Sequence, residues 1–319
     1  MDWRGAEPVI TWRPRGRTRF TEPFFEDALR KSTSDPEVGV RRCHTGLDAL
    51  LEIAGESTGT PRPALAGFIY HASRCGSTLA AQMLATIPGV VVFSEPPPLE
   101  AVLRREERSE SSIRILRALV SAWTRALPES LHFIVKLDSW HILHWRLLHA
   151  AFPATPSVFV SRDPLEILAS HARRRGTQMV PGLIAPERFG WDLAMIRAWT
   201  FEEYAARVLA TLGGAALEAA RSTGLRLLDY SEFPDVALGP LPAHFGLSVT
   251  PSDRDAMEIR ARSHAKSPDE PFRPDAAAKR ASAAPELIQA TEAHARAVYR
   301  QLESARTSGL GLAPFAVNP

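Results

Sequence analysis

The chain has 319 residues, of which 45% are hydrophobic and 23% charged, so it can bury one large α/β core or a core with a smaller lobe. Its formal net charge of +2 argues against a general affinity for nucleic acid or membranes. Two cysteines, Cys43 and Cys75, exclude a disulfide scaffold and favour a reducing, cytoplasmic compartment. Residues 1–19 lack the apolar segment of a signal peptide, and no run approaches the roughly 18 apolar residues of a membrane span.

Residues 1–63 precede the predicted core as an N-terminal extension. Residues 22–29 are typical of a helix with Thr21 as its N-cap, and residues 55–63 are typical of a linker. Two placements are open for the extension. It packs on the edge of the core sheet, which we prefer, or it helps to enclose a ligand.

Short apolar runs alternate with helical periodicity in the rest of the chain. Strands are predicted over residues 65–70, 90–93, 132–136, 157–161 and 225–228. Helices are predicted over residues 77–86, 111–127, 140–151, 165–174, 186–222 with a break at Gly213-Gly214, 251–260 and 286–304. Strands separated by helices pair in parallel with right-handed crossovers. The sequence therefore predicts an α/β fold over residues 64–319: a P-loop-type parallel β-sheet of about five strands flanked by helices, with helical N- and C-terminal additions.

The first predicted strand leads into a turn of small residues, 73–78 (Ser-Arg-Cys-Gly-Ser-Thr), and then into a helix. The unpaired N–H groups and the dipole of a helix N-terminus attract an anion, and Gly76 lets the backbone approach it. This is not a Walker A motif, which needs a glycine where His71 stands and a lysine where Ser77 stands. Because its cation is Arg74, the loop suits a single phosphoryl group rather than a triphosphate with Mg²⁺.

The same loop resembles the 5′-phosphosulfate loop of the sulfotransferases that use 3′-phosphoadenosine 5′-phosphosulfate (PAPS). That loop reads approximately P-[KR]-[ST]-G-[ST]-[ST]. Here Ser73 stands in the usual proline position and Cys75 in a hydroxyl position. The alternative is an ordinary glycine turn between a strand and a helix.

A second segment is similar to the 3′-phosphate site of this family. Arg162 ends a predicted strand, and Ser170 follows eight residues later on the next helix. A guanidinium group and a hydroxyl suit a dianionic phosphate, whereas the alternative is a solvated Arg162-Asp163 ion pair. The resemblance implies that PAPS is bound by Ser73, Arg74, Cys75, Gly76, Ser77, Thr78, Arg162 and Ser170.

Two carboxylates are candidates for the base that deprotonates an acceptor. Glu95 lies 21 residues after Arg74, and in the tyrosylprotein branch of the family a glutamate at that spacing is the catalytic base. Asp138 is the second candidate, because Lys136-Leu137-Asp138 resembles the Lys-x-His of the cytosolic members. We prefer Glu95. The structural alternatives are a loop carboxylate for Glu95 and an N-cap for Asp138.

Lys136 and Arg74 are assigned to stabilise the negative charge that the departing group gains. Lys136 would reach the oxygen between phosphate and sulfate, and Arg74 would act from the other side. His71 replaces a residue that is usually small in this family, so it can line the site. Cys75 is interpreted as a packing group rather than a nucleophile.

The resemblance covers about residues 67–233 and implies transfer of a sulfuryl group from PAPS to a hydroxyl or amine acceptor. Adenosine 3′,5′-bisphosphate would be the product, and no metal would be required. The acceptor, a small molecule, a glycan or a peptide, and the oligomeric state are open. Two rival classes are a P-loop nucleotide kinase or hydrolase and a non-catalytic nucleotide-binding protein.

One element of the family's 3′-phosphate site, an Arg-Lys-Gly segment, is not found in this sequence. Arg262, Lys266, Arg273 and Lys279 are the candidate substitutes. Residues 227–233 look like the family's Tyr-Glu-Asp-Leu element, though rearranged.

Overall fold

A computed structural model of the protein describes residues 1–4, 7–14, 20–33, 42–55, 63–105, 109–127, 130–263, 265 and 276–313. In the N-terminal extension, strands β1 (Asp2–Arg4), β2 (Glu7–Trp12) and β3 (Cys43–Thr45) form an antiparallel sheet. The extension also contains helices α1 (Phe25–Thr33) and α2 (Leu47–Gly55). The extension therefore contains, besides helices, a small antiparallel sheet that was not predicted.

The first helix also begins later than predicted. Its first backbone hydrogen bonds are accepted by the carbonyl of Phe24, so Thr21 is not its N-cap. The carbonyl of Thr21 instead accepts a hydrogen bond from Gln82 Nε2 at 2.9 Å. Phe20 and Phe25 pack against Phe93 of the core, with ring centroids 4.3 and 4.8 Å away. Of the predicted linker, residues 56–62 lie outside the described residues.

Five parallel strands form the central sheet in the order β5-β6-β4-β7-β8. Their bounds are β4 (Ala64–His71), β5 (Val90–Ser94), β6 (His132–Lys136), β7 (Ser157–Ser161) and β8 (Arg226–Asp229). The predicted α/β class is confirmed. After β4 the chain moves toward one edge of the sheet, and after β6 it moves to the other side of β4. Ligands of open α/β sheets bind at such a reversal point, beyond the carboxyl ends of the strands.

Helices pack against this sheet and bury a continuous apolar core. Their bounds are α3 (Ser77–Leu84), α4 (Pro97–Leu103), α5 (Glu110–Arg125), α6 (Trp145–Ala151), α7 (Pro164–Arg173), α8 (Leu193–Arg197), α9 (Phe201–Thr223), α10 (Asp235–Leu238), α11 (Pro240–His244), α12 (Pro251–Ala261), α13 (Ala276–Ala281), α14 (Pro285–Ala290) and α15 (Arg296–Ala305). No helix among the described residues is long and apolar enough to cross a bilayer.

Three predicted helices differ from the structure. The segment after β6 begins as a 3₁₀ helix, Ser139–His144, before α6. The last predicted helix is divided into α14 and α15 by a π-helical turn, Thr291–Ala295. The region 186–222 holds a 3₁₀ turn, Pro186–Phe189, followed by α8 and α9.

Gly213-Gly214 does not interrupt α9, contrary to the prediction. Gly213 lies where α15 crosses, and a Cβ atom there would be 2.5 Å from Val298 Cγ1. The glycine therefore marks close helix packing. Helix α9 instead begins at a capping box in which Thr200 and Glu203 bond each other's backbone.

Candidate active site

A cavity of about 370 Å³ opens at the carboxyl edge of the central sheet. Every strand of the sheet supplies a lining residue at or just after its end: His71, Glu95, Asp138, Arg162 and Tyr230. These side chains come from widely separated parts of the sequence. The parallel strands bring them together, because their carboxyl ends share one edge.

The predicted phosphate loop, residues 73–78, lines one wall of this cavity. Ser73 and Arg74 have left-handed φ angles of 68° and 50°, and Gly76 has a φ of 87°. Gly76 is the N-cap of α3 and has no side chain that could accept from the first N–H groups of the helix. A Cβ atom on Gly76 would be 2.6 Å from the Tyr230 ring. Both the φ angle and the available space therefore require glycine there.

The cation of the loop is partly withdrawn from water. Arg74 donates a hydrogen bond to the carbonyl of Arg174 at 3.1 Å. Burial, and then the nearby charge of Arg174, lower the pKa of Arg74. An anion in the cavity would offset both effects.

An ion pair with one fully buried partner lies where β5 and β6 end. Lys136 is fully buried, and its Nζ contacts Glu95 Oε1. The Glu95 N–H donates to the Lys136 carbonyl at 2.7 Å, and Glu95 has a left-handed φ of 56°. Burial alone would raise the pKa of Glu95, but the Lys136 charge and the His71 ring, whose Nε2 lies 3.5 Å from Glu95 Oε1, together hold that pKa well below its usual value.

Asp138 is both an N-cap and a cavity residue. Its Oδ1 accepts a hydrogen bond from the Ser139 N–H at 2.6 Å, and its own N–H donates to His141 Nδ1 at 3.2 Å. Burial, and then the charge of Glu95, raise the pKa of Asp138 to about 6. The two candidate bases thus have oppositely shifted pKa values.

Arg162 and Ser170 line the same cavity as the phosphate loop. The Arg162 Nε donates to Glu166 Oε2 at 2.7 Å, and its guanidinium lies 4.0 Å from the centre of the Tyr230 ring. Both contacts fix the orientation of the guanidinium. Ser170 follows two helical turns later along α7.

Cys75 lines the cavity but is fully buried. Burial raises the pKa of its thiol to about 11. The thiol is therefore neutral near pH 7, as expected of a packing group.

Further lining residues are Phe24, Ser139, Gly176, Thr177, Gln178, Ser263 and Ala265. Of the proposed substitutes for the Arg-Lys-Gly segment, Lys279 lines this cavity, and Arg262 lines a second cavity of about 510 Å³. Lys266 and Arg273 lie outside the described residues. The two cavities share Leu79 and Tyr230.

No protein-family model matches the chain, and a search of curated proteins finds no match. Among solved structures, a sulfotransferase from Alicyclobacillus acidocaldarius is similar at 14% identity and a TM-score of 0.44, covering 76% of this chain and 96% of that one. A sulfotransferase domain from the curacin biosynthetic pathway is similar at 16% identity and a TM-score of 0.41, covering 81% and 95%. The fold class of this chain rests on its own parallel sheet.

Proposed function

We propose that this protein is a sulfotransferase that moves the sulfuryl group of PAPS to a hydroxyl or amine acceptor. One observation carries the proposal. The loop 73–78 and the pair Arg162 and Ser170, two anion-binding groups that are far apart in sequence, line a single cavity. A nucleotide with phosphates at its 5′ and 3′ positions matches two such groups.

In this proposal the 5′-phosphosulfate binds the N–H groups at the start of α3 together with Arg74. The 3′-phosphate binds Arg162 and Ser170, and Lys279 supplies a further positive charge on the same side. The second cavity, beyond Tyr230, is the space we assign to the adenine. An aromatic ring between the two cavities suits a nucleoside that extends from one into the other.

The reaction is an in-line displacement at sulfur. The acceptor oxygen or nitrogen forms a bond to sulfur, and the bond from sulfur to the phosphate oxygen breaks. The acceptor gives up its proton to a base, and adenosine 3′,5′-bisphosphate leaves with the electron pair. Negative charge grows on the departing phosphate oxygen, where Lys136 and Arg74 would stabilise it.

We assign the base to Asp138 and not to Glu95, which the sequence favoured. The carboxylate of Glu95 is held by Lys136 and His71, and the lowered pKa of Glu95 makes it a weak proton acceptor. Asp138, with a pKa near 6, matches the operating range of a general base. Glu95 then serves as the counter-charge that holds the buried Lys136 in place.

A thermal-shift experiment tests the proposed donor. Adenosine 3′,5′-bisphosphate without Mg²⁺ should stabilise the protein strongly, and ATP with Mg²⁺ should stabilise it little. The reverse preference would favour a kinase or hydrolase. Mass spectrometry of an acceptor library incubated with PAPS then tests transfer. Binding without any added sulfuryl group would favour a non-catalytic nucleotide-binding protein.

A further inference from the structure

Ser73, the first residue of the phosphate loop, is held by two buried histidines from different elements. The Ser73 N–H donates to Nδ1 of His71 at 3.0 Å, and Ser73 Oγ lies 3.1 Å from Nε2 of His171. His71 ends β4, and His171 lies on α7. We call His71 and His171 the histidine clamp.

The hydrogen bonds determine the tautomer of both rings. Each Nδ1 accepts from a backbone N–H: that of Ser73 for His71, and that of Gly176 at 3.1 Å for His171. Each neutral ring therefore carries its proton on Nε2. His71 Nε2–H donates to the Leu137 carbonyl at 2.9 Å, and His171 Nε2–H donates to Ser73 Oγ.

The clamp holds the part of the loop whose backbone conformation is unfavourable. Ser73 and Arg74 both have left-handed φ angles, which cost free energy in residues other than glycine. Such angles persist only where surrounding contacts enforce them. Proline, with φ fixed near −65° and no N–H, fits neither the φ angle of Ser73 nor its bond to His71.

We propose that His71 and His171 are positioning residues that hold the phosphate loop in its anion-binding shape before the donor arrives. This inference rests on the proposed function for the identity of the anion. His171 stands one residue after Ser170 on α7. Its hydrogen bond to Ser73 therefore connects the residues proposed to bind the 3′-phosphate with the loop proposed to bind the 5′-phosphosulfate. The clamp therefore fixes the spacing between the two ends of the nucleotide site.

Two substitutions of His171 separate its two hydrogen bonds. His171→Gln keeps a donor near the position of Nε2, facing Ser73, and loses the acceptor for Gly176. His171→Asn keeps the acceptor for Gly176 and loses the donor to Ser73. We expect the Kd for adenosine 3′,5′-bisphosphate, measured by calorimetry, to rise about fivefold to tenfold in His171→Asn and to stay within about twofold in His171→Gln.

Ser73→Ala completes a double-mutant cycle. If His171 acts through Ser73, Ser73→Ala should weaken binding about as much as His171→Asn, and the double variant should bind no more weakly than either single one. His149→Asn, on α6 and outside the cavity lining, is the matched control and should leave the Kd unchanged. Equal losses in His171→Gln and His171→Asn, or additive losses in the double variant, would overturn the proposal.

Nitrogen-15 spectra of the histidine rings in the nucleotide-free protein test the clamp independently of any ligand. We expect His71 and His171 to be neutral and protonated on Nε2. A proton on Nδ1 of either ring overturns the clamp, whatever nucleotide binds. If the wild-type protein shows the expected tautomers but does not bind adenosine 3′,5′-bisphosphate, the clamp geometry is supported and the proposed function is refuted.

Discussion

The ammonium group of Lys136 contacts the carboxylate of Glu95 where neighbouring strands β6 and β5 end. Lys136 is completely buried, whereas 26% of the Glu95 side chain is exposed. The side chain of Lys136 therefore has no exposure to solvent and lies next to Glu95, a residue of the cavity lining, whose carboxylate it contacts.

Removing that carboxylate should destabilise the protein. Glu95→Gln leaves the buried Lys136 without its counter-charge, and we expect a loss of about 3 kcal/mol in the free energy of unfolding, measured by urea denaturation. Glu100→Gln is the matched control. Glu100 is also 26% exposed, but its partner Arg104 is on the surface, so the loss there should stay below about 1 kcal/mol. Equal losses in the two variants would contradict this description of the pair.

The same pair predicts how stability depends on pH. The pKa of Glu95 is lower in the folded protein than in the unfolded chain, so its contribution is present above the unfolded pKa of about 4.3 and is lost as the pH falls below it. Wild type should therefore lose more stability than Glu95→Gln between pH 5 and pH 3. Parallel curves for the two proteins, from denaturation at several pH values, would refute the lowered pKa.

The proposed base predicts a pH profile for transfer. With Asp138 as the base, kcat/KM should rise with pH and level off above about 6, because the carboxylate must be ionised. Asp138→Asn should lower kcat by at least about 100-fold while leaving the Kd for adenosine 3′,5′-bisphosphate nearly unchanged.

Glu95→Gln separates the two candidate bases. The charge of Glu95 helps to raise the pKa of Asp138, so its removal should move the rise in kcat/KM to lower pH while measurable transfer remains. Loss of transfer at every pH in Glu95→Gln, with near-wild-type transfer in Asp138→Asn, would return the role of base to Glu95.

Two glycines with similar backbone angles test the contact behind the phosphate loop. Gly76 and Gly182 have φ of 87° and 83°, but a Cβ on Gly76 would be 2.6 Å from Tyr230, whereas one on Gly182 would have no atom within 4 Å. Gly76→Ala should weaken binding of adenosine 3′,5′-bisphosphate by at least about tenfold, because the loop and Tyr230 must move apart. Gly182→Ala should cost about 1 kcal/mol of stability and leave binding intact. Similar binding in both variants would contradict the role of the contact.

Two adjacent glycines in α9, Gly213 and Gly214, test the packing of this helix through the stability of their variants. A Cβ on Gly213 would be 2.5 Å from Val298, but one on Gly214 would meet open space. Gly213→Ala should destabilise the protein by about 1 to 3 kcal/mol through overpacking. Gly214→Ala should stabilise it by up to about 1 kcal/mol through helix propensity. Thermal denaturation measures both, and a gain in stability for Gly213→Ala would contradict the packing of α9 on α15.

The sequence predicted elements well where a local pattern determined them. Strands β6 and β7 have the predicted bounds, since each is a short apolar run with a charged residue at its end or directly after it. Gly213-Gly214 misled the prediction, because the same residue type marks a helix break or a close crossing, and only the position of α15 distinguishes them. The strands of the N-terminal extension were missed because β1 and β3 have only three residues each and β2 contains Pro8, which argues against a strand.

In the candidate site, too, some residues could be predicted from local patterns and others could not. Residues at strand ends, such as Arg162 and Asp138, could be predicted because parallel strands share an edge. Phe24 and His171 could not be predicted, since their positions depend on how distant segments dock on that edge. The pKa values of Glu95 and Asp138 likewise follow from three-dimensional neighbours, which reversed our order of preference between the two carboxylates.

Calorimetric titration with two nucleotides tests the central claim, that one cavity holds both ends of an adenosine bisphosphate. Wild type should bind adenosine 3′,5′-bisphosphate at least about tenfold more tightly than adenosine 5′-phosphate, because only the former reaches Arg162 and Ser170. Arg162→Ala should lose most of this preference, since only Ser170 and Lys279 of the proposed 3′-phosphate group remain, while Glu166 keeps its contact with Arg280. Equal binding of the two nucleotides by wild type, or an undiminished preference in Arg162→Ala, would contradict the account.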